Sequence, residues 1–168
     1  MDALLIIDML NDFVEETGAL YVPGVKTIIP NIKKRLEEAR TQGIPVFFIC
    51  DSHKENDPEF KYWPSHAVEG KWGSAIIKEL RPHEGEYIIR KVSYSGFYKT
   101  DLEKRLKEHR ISRIILTGVL TNICILYTGA DALMRGFSVE VPEDAVAALT
   151  DEDHHFALRQ LKEVLKPR

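Results

Sequence analysis

The sequence has little cysteine and no long apolar run, and each absence excludes a class of protein. Cys50 and Cys124 are the two cysteines among 168 residues, and they are too far apart for a CxxC motif. This excludes a disulfide scaffold and favours free thiols in a reducing compartment. No run approaches the roughly 20 apolar residues of a membrane span. Met1-Asp2 leads into an apolar run without a basic region, so we expect no signal peptide and a cytoplasmic protein.

The sequence also lacks an excess of charge of one sign. It has 23 basic and 26 acidic side chains, a formal net charge of −3, and both signs are mixed along the chain. Without a basic stripe we expect no nucleic-acid partner. No P-loop, GxGxxG or HExxH motif occurs, so nothing marks a nucleotide site. The length suits one domain over residues 1–168.

Short apolar runs alternate with amphipathic stretches along the chain. The runs predict strands, and apolar residues at helical spacing predict helices. Strands that alternate with helices indicate an α/β fold with three layers, a mostly parallel Rossmann-like sheet flanked by helices. The predicted strands are Ala3–Ile7, Val46–Ile49, Tyr87–Val92, Ile114–Val119 and Phe137–Val141, and the predicted helices are Val25–Gln42, Asp101–His109, Cys124–Arg135 and Asp151–Leu165.

Reactive side chains follow four of these strands. Asp8, Asp51, Lys91 and Cys124 stand at or just beyond the carboxyl ends of the first four strands. Ligand sites of open parallel sheets lie beyond those ends. The sequence therefore predicts two carboxylates, an amine and a thiol at one edge of the sheet.

These residues permit nucleophilic catalysis. Cys124 begins a predicted helix, whose positive end favours a thiolate. Asp8 is placed to accept the thiol proton, and Lys91 to orient Asp8 and stabilise charge. Taken singly, Cys124 is better explained as core packing and Lys91 as a solvated lysine, and Asp8 is equally well explained as a turn or cap residue. Only their joint placement favours catalysis.

A second group lies in the long segment 51–73. Asp51 and His53 are two residues apart, so in extended backbone their side chains point the same way, and His66 follows thirteen residues later. Two imidazoles and a carboxylate suit zinc, iron or manganese, although histidines in loops are common without metal. Phe13 and Trp63 either line a slot for a flat ligand or pack in the core.

Together these segments resemble the isochorismatase-like cysteine hydrolases, and within them the nicotinamidase/pyrazinamidase branch, over nearly the whole chain. Each segment is modest alone, but their order and spacing are specific. The segments are Ile6-Ile7-Asp8-Met9-Leu10-Asn11-Asp12-Phe13, Asp51-Ser52-His53, Trp63-Pro64-Ser65-His66, Lys91-Val92-Ser93-Tyr94-Ser95-Gly96-Phe97 and Thr117-Gly118-Val119-Leu120-Thr121-Asn122-Ile123-Cys124.

The resemblance implies a role for each group of residues. Asp8, Lys91 and Cys124 would form the catalytic triad, and Asp51, His53 and His66 would bind one divalent metal, zinc first, with iron or manganese as alternatives. Water would complete the metal shell, since no further histidine lies between His53 and His66. Phe13 and Trp63 would sandwich a pyridine ring, with Tyr94 nearby. The Val119–Leu120 peptide would be cis and help form an oxyanion hole.

The implied reaction is hydrolysis of nicotinamide or pyrazinamide to the acid and ammonia through a thioester on Cys124. The implied pathway is NAD salvage. A small molecule would be the substrate, and we expect a homo-oligomer. The family usually has glutamine in place of Leu10 and often aspartate in place of Asn122. Two alternatives stay open: a related hydrolase acting on another small amide or a vinyl ether, and a non-enzymatic binding domain with the same fold.

Overall fold

The computed structural model describes residues 1–166. This part of the chain forms six strands and five α-helices, and none of its helices has both the length and the hydropathy needed to cross a bilayer. The strands are β1 (Asp2–Ile7), β2 (Val46–Asp51), β3 (Tyr87–Lys91), β4 (Arg113–Val119), β5 (Ser138–Glu140) and β6 (Val146–Ala147), and the helices are α1 (Asn11–Val14), α2 (Ile29–Gln42), α3 (Leu102–Glu108), α4 (Leu126–Met134) and α5 (Asp151–Arg159).

The strands form one sheet in the order β3-β2-β1-β4-β5, and β6 also pairs with β4. Every pair of strands is parallel, so the carboxyl ends of β1 to β4 share one edge. The central strands are apolar on both faces because both faces are covered. The predicted three-layer α/β fold is confirmed.

Alternate residues of each central strand enter two separate cores. Leu5 and Ile7 of β1 pack into the core that α3, α4 and α5 cover, whereas Leu4 and Ile6 pack into the core beneath α2. Cys50 lies in the core beneath α2, whereas Cys124 lies in the other. Both thiols are free, and they lie on opposite faces of the sheet.

Several predicted boundaries were wrong. Strand β2 continues through Asp51, so Asp51 ends the strand instead of following it. Strand β6 has two residues and α1 has four, which is too short to give a periodic pattern. The predicted helix at Cys124 is a π-helical turn, Thr121–Ile125, followed by α4.

Candidate active site

Asp8 is the first residue beyond β1, and backbone geometry fixes it there. Its φ of +51° lies in the left-handed region, which is unfavourable for a residue with a side chain and persists only where surrounding contacts hold it. Its N–H donates to the Ile49 carbonyl at 2.8 Å, and its Oδ1 accepts the Asp51 N–H at 2.8 Å. Asp8 therefore ties the end of β1 to the end of β2.

The approach of β4 to β1 at this edge requires a glycine. Gly118 has a φ of +110°, and a Cβ there would lie 2.0 Å from the Ile7 carbonyl oxygen. The chain leaves β4 directly after this point, at Val119, and the predicted cis peptide is present between Val119 and Leu120. The turn that follows brings Cys124 to the strand ends.

Lys91 lies between the acidic side chains and the thiol. It ends β3 opposite Asp51 of β2, and its Nζ lies 2.9 Å from Asp8 Oδ2 and 3.5 Å from Cys124 Sγ. A second ion pair joins Nζ to Asp51 Oδ1. The side chain is wholly buried, so two carboxylates compensate one buried ammonium.

Burial dominates the protonation of the triad. It raises the pKa of Asp8 to about 6, and the neighbouring Asp51 adds to the rise while Lys91 opposes it. It also raises the pKa of the Cys124 thiol well above its ordinary value, against the charge of Lys91. Desolvation of the buried sulfur outweighs the favourable charge of Lys91, so the shift runs against the thiolate that we expect from the start of a helix. The thiol holds its proton until a base removes it.

Asp51, His53 and His66 converge beside the triad, and all three are buried. Asp51 Oδ2 lies 3.9 Å from His53 Nε2 and 3.7 Å from His66 Nε2, and the three ligand atoms all lie within 4.8 Å of one another. Burial alone raises the pKa of Asp51, but Lys91 and the two imidazoles lower it below its usual range. The Asp51 carboxylate is therefore anionic.

The donor set fits a divalent metal. His53 Nδ1 is held 3.1 Å from Asp57 Oδ2, and His66 Nδ1 2.7 Å from the Pro64 carbonyl. These contacts leave both Nε2 atoms for the centre, the arrangement usual for histidine ligands. In the described chain, the buried His53 Nε2 has no hydrogen-bond partner. Burial lowers the pKa of His53, yet Asp51 and Asp57 raise it to about 9, so the site stabilises positive charge.

An apolar cleft with an empty volume of about 370 Å³, its open mouth included, connects the two groups. The predicted aromatic residues Phe13, Trp63 and Tyr94 all line it, as do Leu120 and Cys124.

Two contacts hold the aromatic side chains of the cleft. Phe13 contacts the His66 ring edge to face, with centroids 5.7 Å apart. Trp63 Nε1 lies 3.4 Å from the Tyr94 hydroxyl. The cleft therefore suits a small flat ligand beside the thiol.

Sequence reasoning missed three residues that line the cleft: Leu20, Glu59 and Ile123. Glu59 also groups with His53 and Asp57, and the potential ligand atoms of these three side chains lie within 4.8 Å of one another. Its backbone N–H donates to Asp57 Oδ1 at 2.9 Å, which caps a 3-10 turn, Pro58–Lys61. The Asp-Pro-Glu sequence was the available signal, because aspartate before proline is a common start of a helical turn.

The two positions that depart from the family pattern lie close to the triad in sequence but differ in surroundings. Leu10 is fully buried and forms an antiparallel bridge with Ile76. Asn122 precedes the cleft residue Ile123, and its buried Oδ1 has no hydrogen-bond partner in residues 1–166. Leu10 therefore serves packing.

Comparison with known proteins agrees with this geometry. Residues 2–167 match the Isochorismatase domain family. The pyrazinamidase/nicotinamidase of Streptococcus mutans is 36% identical with a TM-score of 0.93, covering 98% of this chain and 97% of that one. The pyrazinamidase of Pyrococcus horikoshii, solved in complex with zinc, is 33% identical with a TM-score of 0.93, covering 99% and 97%. The N-carbamoylsarcosine amidase of Thermoplasma acidophilum is 36% identical with a TM-score of 0.89, covering 99% and 95%. The chain is an isochorismatase-family hydrolase.

Proposed function

We propose that the chain is a metal-assisted cysteine amidohydrolase that converts nicotinamide, and pyrazinamide, to the acid and ammonia. One observation carries the proposal. Cys124 and Asp8 share a small aromatic-lined cleft with His66 and Asp51, so the proposed nucleophile and two of the proposed metal ligands line one cleft. A pyridine carboxamide has one group for each: a carbonyl carbon for the thiol and a ring nitrogen for the metal.

The proposed chemistry begins with proton transfer between Cys124 and Asp8. With a pKa of about 6, Asp8 is mostly ionised at neutral pH and accepts the thiol proton as sulfur attacks the amide carbon. Lys91, 3.5 Å from Sγ, stabilises the developing thiolate. Backbone N–H groups of the turn from Leu120 to Cys124 stabilise the oxyanion. The C–N bond then breaks, Asp8 returns the proton to the leaving nitrogen, and ammonia departs.

A thioester on Cys124 remains after the first step. Water attacks its carbonyl carbon while Asp8 accepts one water proton. The C–S bond breaks, Asp8 reprotonates the sulfur, and the carboxylic acid leaves. The residues are thereby restored, and one water is consumed for each ammonia released.

We propose that Asp51, His53 and His66 hold the metal, with zinc first and iron or manganese as alternatives. Bound there, a metal would supply Lewis-acid chemistry suited to a ring nitrogen. The aromatic side chains of Phe13 and Trp63 exclude water from the ring faces. Orientation, and not activation of the nucleophile, is the contribution that we assign to the metal site.

The charges of the cleft favour a neutral amide over the alternatives. Asp8, Asp51 and Glu59 line it, and no arginine or lysine does so in the described part of the chain. Lys91 is buried against two carboxylates. N-carbamoylsarcosine and isochorismate carry carboxylates, and within residues 1–166 the lining offers no arginine or lysine to pair with them. A neutral small amide is the proposal, and a carboxylated amide or vinyl ether is the second candidate.

An ammonia-release assay on zinc-loaded protein tests the assignment. Nicotinamide, pyrazinamide and N-carbamoylsarcosine are compared at equal concentration, and loss of an isochorismate-like vinyl ether is followed separately. We expect the two aromatic amides to be cleaved and the carboxylated compounds to react at least about a hundredfold more slowly. Preferred cleavage of a carboxylated substrate would replace the proposal with the second candidate. No reaction with any compound would refute the proposal and leave another small amide or a binding domain as the alternatives.

A further inference from the structure

The Asp12 side chain binds two segments of the cleft wall, although it belongs to neither the triad nor the metal ligands. Its Oδ2 accepts the Ala67 N–H at 2.8 Å, and its Oδ1 accepts the Ala19 N–H at 3.1 Å. Ala67 directly follows His66, and Ala19 directly precedes Leu20, which lines the cleft. Asp12 itself directly precedes Phe13. One carboxylate is thus hydrogen-bonded next to two cleft residues, His66 and Leu20, and belongs to the residue before a third, Phe13.

Ala67 is the residue that most needs this contact. It has a left-handed φ of +45° and no exposed surface. Its carbonyl accepts the His53 N–H at 3.0 Å, so Ala67 joins the backbones of His53 and His66. Without Asp12, the buried N–H of Ala67 would be unpaired in an unfavourable conformation. The loop would then relax, and both imidazoles would move.

The surroundings of Asp12 are built to admit its carboxylate. A Cβ on Gly73 would lie 2.0 Å from Asp12 Oδ2, so only glycine leaves room at that position. The preceding residue, Asn11, makes two hydrogen bonds to the loop that contains Gly73. Its Nδ2 donates to the Trp72 carbonyl at 2.9 Å, and its backbone N–H donates to the Ala75 carbonyl at 3.0 Å. The chain beyond Asp8 is therefore attached to the loop along several residues, with Asp12 nearest the histidines.

We propose that Asp12 is a positioning residue, which holds His66 and His53 in metal-binding geometry through Ala67 and holds Leu20 against the cleft through Ala19. The proposal rests on the proposed metal site for its functional consequence. Its structural part is that Asp12 holds the backbone at Ala67 and Ala19, and this rests only on the two hydrogen bonds to their N–H groups. Two separate measurements therefore test it.

The first measurement is amide hydrogen exchange on the 168-residue chain stripped of metal by a chelator. Asp12→Asn removes at least one of the two acceptors, and Asp12→Ala removes both. We expect exchange at Ala67 and Ala19 to rise about tenfold or more in Asp12→Ala, and less in Asp12→Asn, while the central strands keep their protection. Glu86→Gln is the matched control. Glu86 also accepts a backbone N–H, that of His83 at 2.7 Å. It directly precedes β3, whereas Lys91 is the last residue of that strand.

The second measurement is titration with Co²⁺, whose visible spectrum reports ligand geometry. We expect Asp12→Asn to weaken Co²⁺ binding by about 10- to 100-fold, as for other residues that support metal ligands, and to change the spectrum. Glu86→Gln should match the wild type in both respects. In steady-state kinetics KM should rise more than kcat falls.

Unchanged exchange at Ala67 in both Asp12 variants would overturn the proposal. A uniform rise across the whole chain would also overturn it, because Asp12 would then act on global stability alone. Wild-type protein that binds no Co²⁺ would refute the proposed metal site, and the exchange data would still decide whether Asp12 fastens the loop. Wild-type-like Co²⁺ binding in a variant with faster exchange would refute the link between the loop and the ligands.

Discussion

The site has two halves that are held in place in different ways. The strand-end half (Asp8, Asp51, Lys91 and Cys124) is fixed by the sheet and by a buried ion-pair cluster. The loop half (His53, Glu59, Trp63 and His66) lies on segment 52–73, which short turns and side-chain contacts hold. Rigid elements thus carry the proposed bond-breaking groups and one proposed metal ligand, Asp51, while a loop carries the other groups that we propose select the ligand. Damage to the first half should abolish turnover, and damage to the second should weaken binding.

The largest expected effect comes from Cys124 in the strand-end half. Cys124→Ala removes the proposed nucleophile, so ammonia release should fall by about 10⁴-fold or more. Folding and metal content should stay near normal, since the thiol is a small part of its core. Acid quenching of wild type during turnover should trap an acyl adduct on Cys124, detectable by mass spectrometry.

Cys50→Ala is the control for that prediction. Cys50 is buried in the core on the opposite face of the sheet, and burial raises the pKa of its thiol far above the ordinary value. Activity should stay within about twofold of wild type, because surrounding packing changes little. A fully active Cys124→Ala protein, or an inactive Cys50→Ala protein, would reverse the assignment of the nucleophile.

Lys91→Met should combine loss of turnover with loss of stability. The change leaves Asp8 and Asp51 as buried carboxylates without their cation, which costs about 3–5 kcal/mol of unfolding free energy. Urea unfolding at neutral pH measures this. Lys104→Met is the control, because Lys104 is mostly exposed and its pair with Glu108 is long, at 3.9 Å. A Lys91→Met protein as stable as the control would show that the cluster does not hold the strand ends together.

The loop half should respond differently. His66→Ala and His53→Ala remove one metal ligand each, so bound zinc, iron or manganese should fall well below one per chain. KM for nicotinamide should rise about tenfold or more while kcat falls less, since the site mainly orients the ring. Elemental analysis and kinetics check this. Wild type without bound metal, and active in chelator, would contradict the account.

The smallest effect is expected from the aromatic side chains that line the cleft. Trp63→Ala should raise KM for all aromatic amides by about three- to tenfold, because the variant loses the binding free energy of one aromatic contact. Trp72→Ala is the matched control, since Trp72 is exposed and outside the cleft. An equal change in both variants would show that Trp63 acts through general stability and not through the ligand.

The sheet and the strand ends were predictable because they depend on local sequence. Continuous apolar runs mark strands buried on both faces, and a parallel sheet places their ends at one edge. The reactive residues could thus be grouped before the structure was known. The extension of β2 through Asp51 could not, because this charged residue lies in the strand without continuing its apolar run.

Other features depend on contacts between distant parts of the chain. The link from Asp12 to Ala67 spans 55 residues, and no local pattern indicates it. The π-helical turn at Cys124 has the same apolar spacing as the start of an α-helix, so periodicity cannot separate them. The raised pKa of Cys124 follows from burial, which sequence position alone does not reveal.

The central claim is that the loop half recognises the ring nitrogen of a pyridine carboxamide that the strand-end half cleaves. The most direct measurement is kcat/KM for nicotinamide against benzamide, by ammonia release from the zinc-loaded protein. Benzamide keeps the ring and the amide but lacks the nitrogen, so its kcat/KM should be at least about a hundredfold lower. Equal turnover of the two compounds would contradict the claim.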